Sequence, residues 1–332
     1  MRRILIGHNV KVIAADYLRA LKDKKEMHWS EMPIARLKMV YDALGEQGGL
    51  RCYVSLLMTL YDRIILLHST EFTAFHDAYF SRWDAEDLSA KVKVKKKEMP
   101  FYQAIQWAMR YEDVRKNLLP SFIGRLQINA CVYCNEVSIA SGEKTEDGDK
   151  EIWARYEVDH FYPKDKYPYL STSFYNFQPS CGNCNGSKSD KMALFNLYTD
   201  DTGKRDVFRF TIGDAAQILE ARINSDPDAL EIHLVSDDSE LQRNHDELFH
   251  VESVYQNAHR DDAWRIMAIL YDHEDSYIKG LKAFLTGHLT GNSHDILMEY
   301  FKEYGYYMDK DMVHKKPLNK LAQDIVEFYE AE

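Results

Sequence analysis

The sequence predicts a mainly α protein with a small α+β core, and three observations carry that expectation. Apolar residues recur at helical spacing in "MPIARLKMVYDAL", "LRCYVSLLMTLYDRIILLH" and "YQAIQWAMRYEDVRKNLL", the last before Pro120 interrupts the pattern. Between residues 129 and 198 the texture changes to cysteines, aromatics, Asn, Gly and Pro, with short strand-like runs. Two Cys-x-x-Cys pairs bracket that stretch. The expected division is a helical region over 1–128, a cysteine-framed module over 129–198, and an acidic, hairpin-plus-helical region over 199–332.

Within the first region, "KVKVKKKEMP" (91–100) carries five lysines in seven residues. It reads first as a solvated loop or helix face, and second as a phosphate-contacting patch. In the module, "SGEKTEDGDK" (141–150) is a polar, Gly-containing stretch expected to be an exposed loop. "IWARYEV" and "SFYNFQP" favour strand, and "CGNCNGSKSDKMALFNL" reads as a helix starting near the second cysteine pair. In the last region, "DVFRFTIG" and "ALEIHLVS" are a candidate extra hairpin. "ELFHVESVYQNAHRDDAWRIMAILYDHEDSYIKGLKAFL" and "ILMEYFKEYGYYM" return to helical spacing. Tyr300, Phe301, Tyr304, Tyr306 and Tyr307 read as core rather than as base-stacking groups. His233, His245, His250, His259 and His273 follow no metal-ligand spacing.

At 332 residues, 45% hydrophobic and 29% charged, the chain can bury a substantial core and suits roughly two domains. The apolar run of "MRRILIGHNVKV" breaks at His8, Asn9 and Lys11 before a signal sequence forms. "CYVSLLMTLYDRIILLH" contains Asp62 and Arg63 and is too short and too charged to span a bilayer. A soluble, cytoplasmic protein with no membrane partner is expected. The net charge of −11 does not suit a surface that binds phosphate everywhere. However, residues 200–262 hold 16 Asp/Glu against 6 Lys/Arg and account for nearly all of the excess. A local basic surface elsewhere stays open.

Of the five cysteines, Cys52 lies in an apolar helical stretch and reads as core. Cys131, Cys134, Cys181 and Cys184 form the two pairs. Two such knuckles supply the four thiolates of a tetrahedral, structural Zn²⁺ site with no open position. Unrelated pairs or a redox motif are the alternatives. Between and beside the pairs come Asp159-His160, then Asn176, then Asn185 directly after Cys184, then Lys188. Singly these are a surface histidine, a turn residue and a helix cap. Their order is what carries information.

That order, from "CVYC" through "EVDHFYP" to "SFYNFQPSCGNCNGSK", resembles the HNH endonuclease family, whose site is the ββα-metal motif. The resemblance covers under a fifth of the chain. It implies that His160 is the general base, and that Asp159 and Asn185 hold one Mg²⁺ or Mn²⁺ through hard oxygen ligands. It implies that Asn176 braces the hairpin so that His160 is aimed, and that Lys188, Lys164 and Lys166 contact neighbouring phosphates. Asn185 stands where many members carry a final histidine, which leaves the metal less defined than the activity. The wider layout is similar to the PtuB-like nuclease subunits of Septu and retron-linked anti-phage defence systems. That similarity implies an ABC-like ATPase partner and makes the acidic 200–262 segment a candidate docking region.

The expected activity is hydrolysis of DNA phosphodiesters to 5′-phosphate and 3′-hydroxyl ends. An RNase or tRNase effector, and a non-catalytic zinc-framed module that binds nucleic acid or protein, stay open. One physical condition applies. Neighbours in a regular strand point to opposite faces, so Asp159 and His160 serve one phosphate only if the strand ends or twists there. Pro163 makes such a break reasonable. Both side chains are then expected to converge on the cavity that holds Asn185.

Overall fold

In a computed structural model, residues 1–24, 29–146, 149–271 and 301–331 are described. The chain is mostly helical with small two-stranded sheets. Strand β1 (Ile4–Leu5) leads into α1 (His8–Lys22). Helices α2 (Pro33–Ala43), α3 (Gly48–Thr59), α4 (Tyr61–Ile65), α5 (Phe72–Tyr79) and α6 (Ala85–Ser89) follow. Then come β2 (Lys91–Val94), β3 (Lys97–Pro100), α7 (Phe101–Ala108), α8 (Tyr111–Asn117) and α9 (Leu119–Arg125). The middle holds β4 (Ala140–Glu146), β5 (Asp149–Arg155), β6 (Glu157–His160), β7 (Phe177–Ser180), α10 (Gly182–Lys188) and β8 (Tyr198–Thr199). The rest comprises β9 (Arg209–Ile212), α11 (Ala215–Asn224), β10 (Ile232–Val235), α12 (Ser239–Phe249), α13 (Val251–Ala258), α14 (Arg260–Tyr271) and α15 (Asn319–Ala331).

The chain forms two compact units that are discontinuous in sequence. One comprises Arg3–Leu126 and Ile139–Arg205; the other comprises Met1–Arg2, Gln127–Ser138 and Asp206–Glu332. In the first unit, α1 buries Val10, Ile13, Ala14, Tyr17, Ala20 and Leu21, the stripe that a 3.6-residue period presents to a core. Tyr17 is fully buried among Phe122, Phe174 and Phe177, with ring centroids 5.4, 5.5 and 6.3 Å away. Its hydroxyl donates to the Thr172 carbonyl at 3.0 Å, so a buried polar atom is satisfied. This aromatic cluster backs β7. In the second unit, β9 and β10 pair antiparallel, with α11 between them in sequence. The Phe210 N–H donates to Asp324 on α15 at 2.7 Å.

Several local expectations are corrected. The lysine-rich stretch is neither loop nor helix: β2 and β3 form an antiparallel hairpin. Val92 and Val94 are buried while Lys91 and Lys93 are exposed, the two-residue alternation of a half-buried strand. The polar stretch 141–150 falls in the β4–β5 hairpin, apart from residues 147 and 148, which lie outside the described residues. Gly142 pairs with Trp153, and a Cβ there would meet the indole at 3.1 Å. That glycine marks a close approach within a strand, not a loop.

The helix of the second cysteine pair ends at Lys188, well short of Leu197, because Ser189 takes a φ of 50°. Pro120 occupies the first turn of α9 and starts a helix, as its fixed φ and missing N–H permit. Cys52 is exposed, because α3 turns Leu50, Tyr53, Val54 and Leu57 inward. Of the C-terminal aromatics, Phe301 is buried, Tyr304 is 51% exposed, and Tyr300 lies outside the described residues, as does His273. The helical reading of 272–300 also falls outside them. No helix among the described residues is long and apolar enough to cross a membrane.

Buried histidines tie stability to pH. His314 is 5% exposed, its Nε2 lies 2.9 Å from the Arg2 carbonyl, and its Nδ1 has no hydrogen-bond partner. Burial pushes its pKa down to about 4 from the ordinary value of 6.5. The folded state therefore binds fewer protons than the unfolded chain below pH 6.5. The stabilisation is complete above that value and declines as pH falls towards 4, by roughly 3 kcal/mol in all. Urea midpoints should fall between pH 7 and pH 4.5, and His314→Gln should flatten that decline.

Candidate active site and metal centre

The site is built on β6, β7 and α10. The strands pair antiparallel in the register Asp159↔Gln178 and His160↔Phe177, and β6 ends at His160. Helix α10 starts at Gly182, with the Cys184 N–H donating to the Cys181 sulfur at 3.5 Å. The Asn185 N–H bonds the Cys181 carbonyl at 3.0 Å. Cys181-x-x-Cys184 is thus a knuckle that also caps the helix.

Asn176 is fully buried and clamps the loop that follows His160. Its Oδ1 accepts from the Tyr162 N–H at 2.8 Å, and its Nδ2 donates to the carbonyls of Tyr162 at 3.0 Å and Leu170 at 3.1 Å. The Phe161 N–H donates to the Asn176 carbonyl at 2.9 Å. The carboxamide replaces the ladder that the backbone abandons once β6 ends.

His160 is 3% exposed, and burial pushes its pKa down to about 3, so the ring is neutral near pH 7. Its Nε2 lies 3.0 Å from the Ser171 carbonyl. A carbonyl can only accept, so Nε2 carries the hydrogen and Nδ1 carries the lone pair. The ring sits 5.2 Å from Tyr111 and 5.5 Å from Phe177. Asp159 is 6% exposed, and its Oδ1 accepts from the Lys188 ammonium at 3.0 Å. The same ammonium donates to the His160 carbonyl at 3.0 Å.

Asp159 and His160 therefore turn to different partners, the carboxylate to α10 and the imidazole to the Ser171 carbonyl. What joins the two residues is Lys188. It is fully buried in this arrangement, which corrects its assignment to a neighbouring phosphate. Lys164 and Lys166 are at the surface. The Lys164 ammonium lies 5.6 Å from the Tyr111 ring centroid, and the Lys166 ammonium donates to the Asp190 carbonyl at 3.2 Å. Asn185 is half-buried on α10.

The ligand atoms of Cys131, Cys134, Cys181 and Cys184 all lie within 4.8 Å of one another, and all four residues are buried. No other cluster of three or more His, Cys, Asp or Glu ligand atoms occurs among the described residues. Four clustered thiols suit a soft, tetrahedral cation such as zinc. The first knuckle is held by residues the sequence did not single out. Asn135, at φ 54°, returns its N–H to the Cys131 carbonyl at 2.8 Å. Its side chain donates to the Val313 carbonyl at 3.1 Å and accepts from the Lys320 N–H at 2.9 Å. Tyr255 donates to the Cys134 carbonyl at 2.9 Å. Asn directly after a knuckle is a signal for a left-handed turn, whereas Tyr111, Ser171 and Tyr255 carry none.

The chain is 42% identical over 60 residues to the Septu protein PtuB of Bacillus thuringiensis. The match spans 18% of this chain and 19% of that protein, so the chain covers about a fifth of its relative's length. No family model matches the chain, and no solved structure matches it.

Two outcomes follow from this geometry. Protein purified without chelator should carry about one equivalent of zinc per chain by elemental analysis, as expected for a four-thiolate site. Cys181→Ser should abolish that zinc and lower the melting temperature. Asn176→Ala should leave the Tyr162 N–H and the Tyr162 and Leu170 carbonyls unpaired. The urea midpoint should report a loss on the order of 3 kcal/mol.

Proposed function

We propose that the chain is a metal-dependent endonuclease of the HNH type, cleaving DNA phosphodiesters. The observation that carries this reading is the conjunction at the end of β6. A neutral histidine with a free Nδ1 lone pair, a buried carboxylate and a helix bearing Asn185 are tied together by Asn176 and Lys188. A zinc knuckle that merely displayed a surface would need none of these.

His160 would take the proton of the attacking water through Nδ1, with the Ser171 carbonyl fixing the tautomer. Asp159 and Asn185 offer the hard oxygen donors that Mg²⁺ or Mn²⁺ prefer, and such a cation would offset charge on the scissile phosphate and leaving oxygen. Asn176 holds the loop that sets the His160 ring. Lys188 positions Asp159 and the backbone of His160. The cysteine cluster, holding zinc, supports the fold around α10 and takes no part in the chemistry. The likeness to PtuB supports a place in anti-phage defence beside an ABC-like ATPase, with the acidic 200–262 segment as a docking candidate.

A plasmid-nicking assay with Mg²⁺ or Mn²⁺ tests this reading. Wild type should nick, and His160→Ala should lose a factor of about 10² or more, the usual worth of a general base. Equal activity in both would remove His160 from the mechanism. Cleavage of RNA but not DNA would favour the RNase effector, and no cleavage of either would favour the binding module.

A further inference from the structure

Two lysines of the β2–β3 hairpin, Lys95 and Lys97, line a cleft of about 560 Å³ in the unit that holds His160. Its walls include Arg36, Lys95, Lys97, Gln103, Trp107 and Arg110, and it reaches Tyr111. The Tyr111 ring sits 5.2 Å from that of His160, so the wall of the cleft opposite the lysine hairpin adjoins the candidate base. Helix α7 ties the two ends together: Gln106 lines the cleft and donates to the Lys164 carbonyl at 3.1 Å, in the loop after His160.

The charges have a definite arrangement. Glu31 pairs with Lys95 at 2.9 Å and Arg36 at 3.5 Å, while Asp113 pairs with Arg110 at 3.1 Å. Glu112, also on the wall, pairs with Arg115 at 3.3 Å. Lys97 lines the cleft, is exposed, and has no ion pair among the described residues. Lys96 stands beside it at the hairpin tip, also exposed. The pairing Val94↔Lys97 puts Lys97 on the face of the buried valines, whereas Lys91 and Lys93 occupy the opposite face. In a chain of net charge −11 this is a local concentration of unpaired cations. The aromatic wall is not free for bases, because the Arg36 guanidinium lies 4.6 Å from the Trp107 centroid. A cleft that presents cations and amides, with its indole already covered, suits backbone phosphate rather than base edges.

We propose that this cleft carries the phosphodiester backbone of the nucleic-acid substrate towards His160, with Lys96 and Lys97 as its phosphate contacts. The direction of travel rests on the nuclease reading; the binding itself does not.

The test is fluorescence anisotropy of the full chain without added divalent cation, using labelled duplex DNA and an RNA strand of equal length. Lys96→Ala/Lys97→Ala should weaken binding about tenfold or more and reduce the slope of log K against log salt by about 2, as expected for two lost phosphate contacts. Lys91→Ala/Lys93→Ala, on the other face, should stay near wild type. The probe that shows this dependence identifies the substrate polymer. Equal weakening by both pairs, no weakening by either, or no binding by wild type would overturn the proposal. Lysine-dependent binding without nicking would uphold the cleft while removing the nuclease reading.

Discussion

A fully buried ammonium is the constraint around which the central site is organised. Removing Lys188 from water costs several kcal/mol unless its charge and donors are met. They are met by the Asp159 carboxylate and the His160 carbonyl, both at 3.0 Å. The requirement holds α10 against β6 and keeps Asp159 ordered beside the helix that carries Asn185. Such a pair contributes little net stability compared with apolar packing. Breaking it from one side is expensive, so it specifies geometry more than it adds free energy.

The surrounding shell follows the same logic of satisfied polar groups. Once β6 ends, the backbone of the next loop loses its ladder, and the Asn176 carboxamide supplies the missing acceptor and donors. Beneath it the Tyr17 cluster gives β7 an aromatic floor, and every residue of β7 is buried. Gln178 can be enclosed in this strand because neighbouring groups meet its polar atoms. The Gln178 Oε1, for example, accepts from the Leu197 N–H at 3.2 Å.

Much of this was legible in the sequence where chemistry is local. Cys-x-x-Cys spacing announces a knuckle, and helical periodicity gave the flanking helices. The alternation in "KVKVKKK" was also present, but the run of lysines suggested solvent before it suggested a strand. Lys188 was misread for a related reason. A lysine after a polar helix start looks like a surface cation, and only the pairing of β6 with β7 shows that its amine is enclosed. Tyr111, Ser171 and Asn135 act through carbonyls, ring edges and a left-handed turn. Side-chain type reveals little of such roles. The two units interleave distant stretches of chain, which no local pattern encodes.

The adjacency of Asp159 and His160 then has a physical resolution. The Asp159 carboxylate bonds the Lys188 ammonium, and the His160 ring lies against the Ser171 carbonyl. On the nuclease reading proposed above, each group needs only to be fixed relative to the same phosphate. Lys188 grips the side chain of one residue and the backbone of the next, so neither can move without the other. The imidazole is set separately by Ser171, which assigns the hydrogen to Nε2 and leaves Nδ1 as the basic atom. An approaching phosphodiester would bring negative charge to a ring whose burial now depresses its proton affinity. On that reading, a bound phosphodiester would raise the basicity of Nδ1.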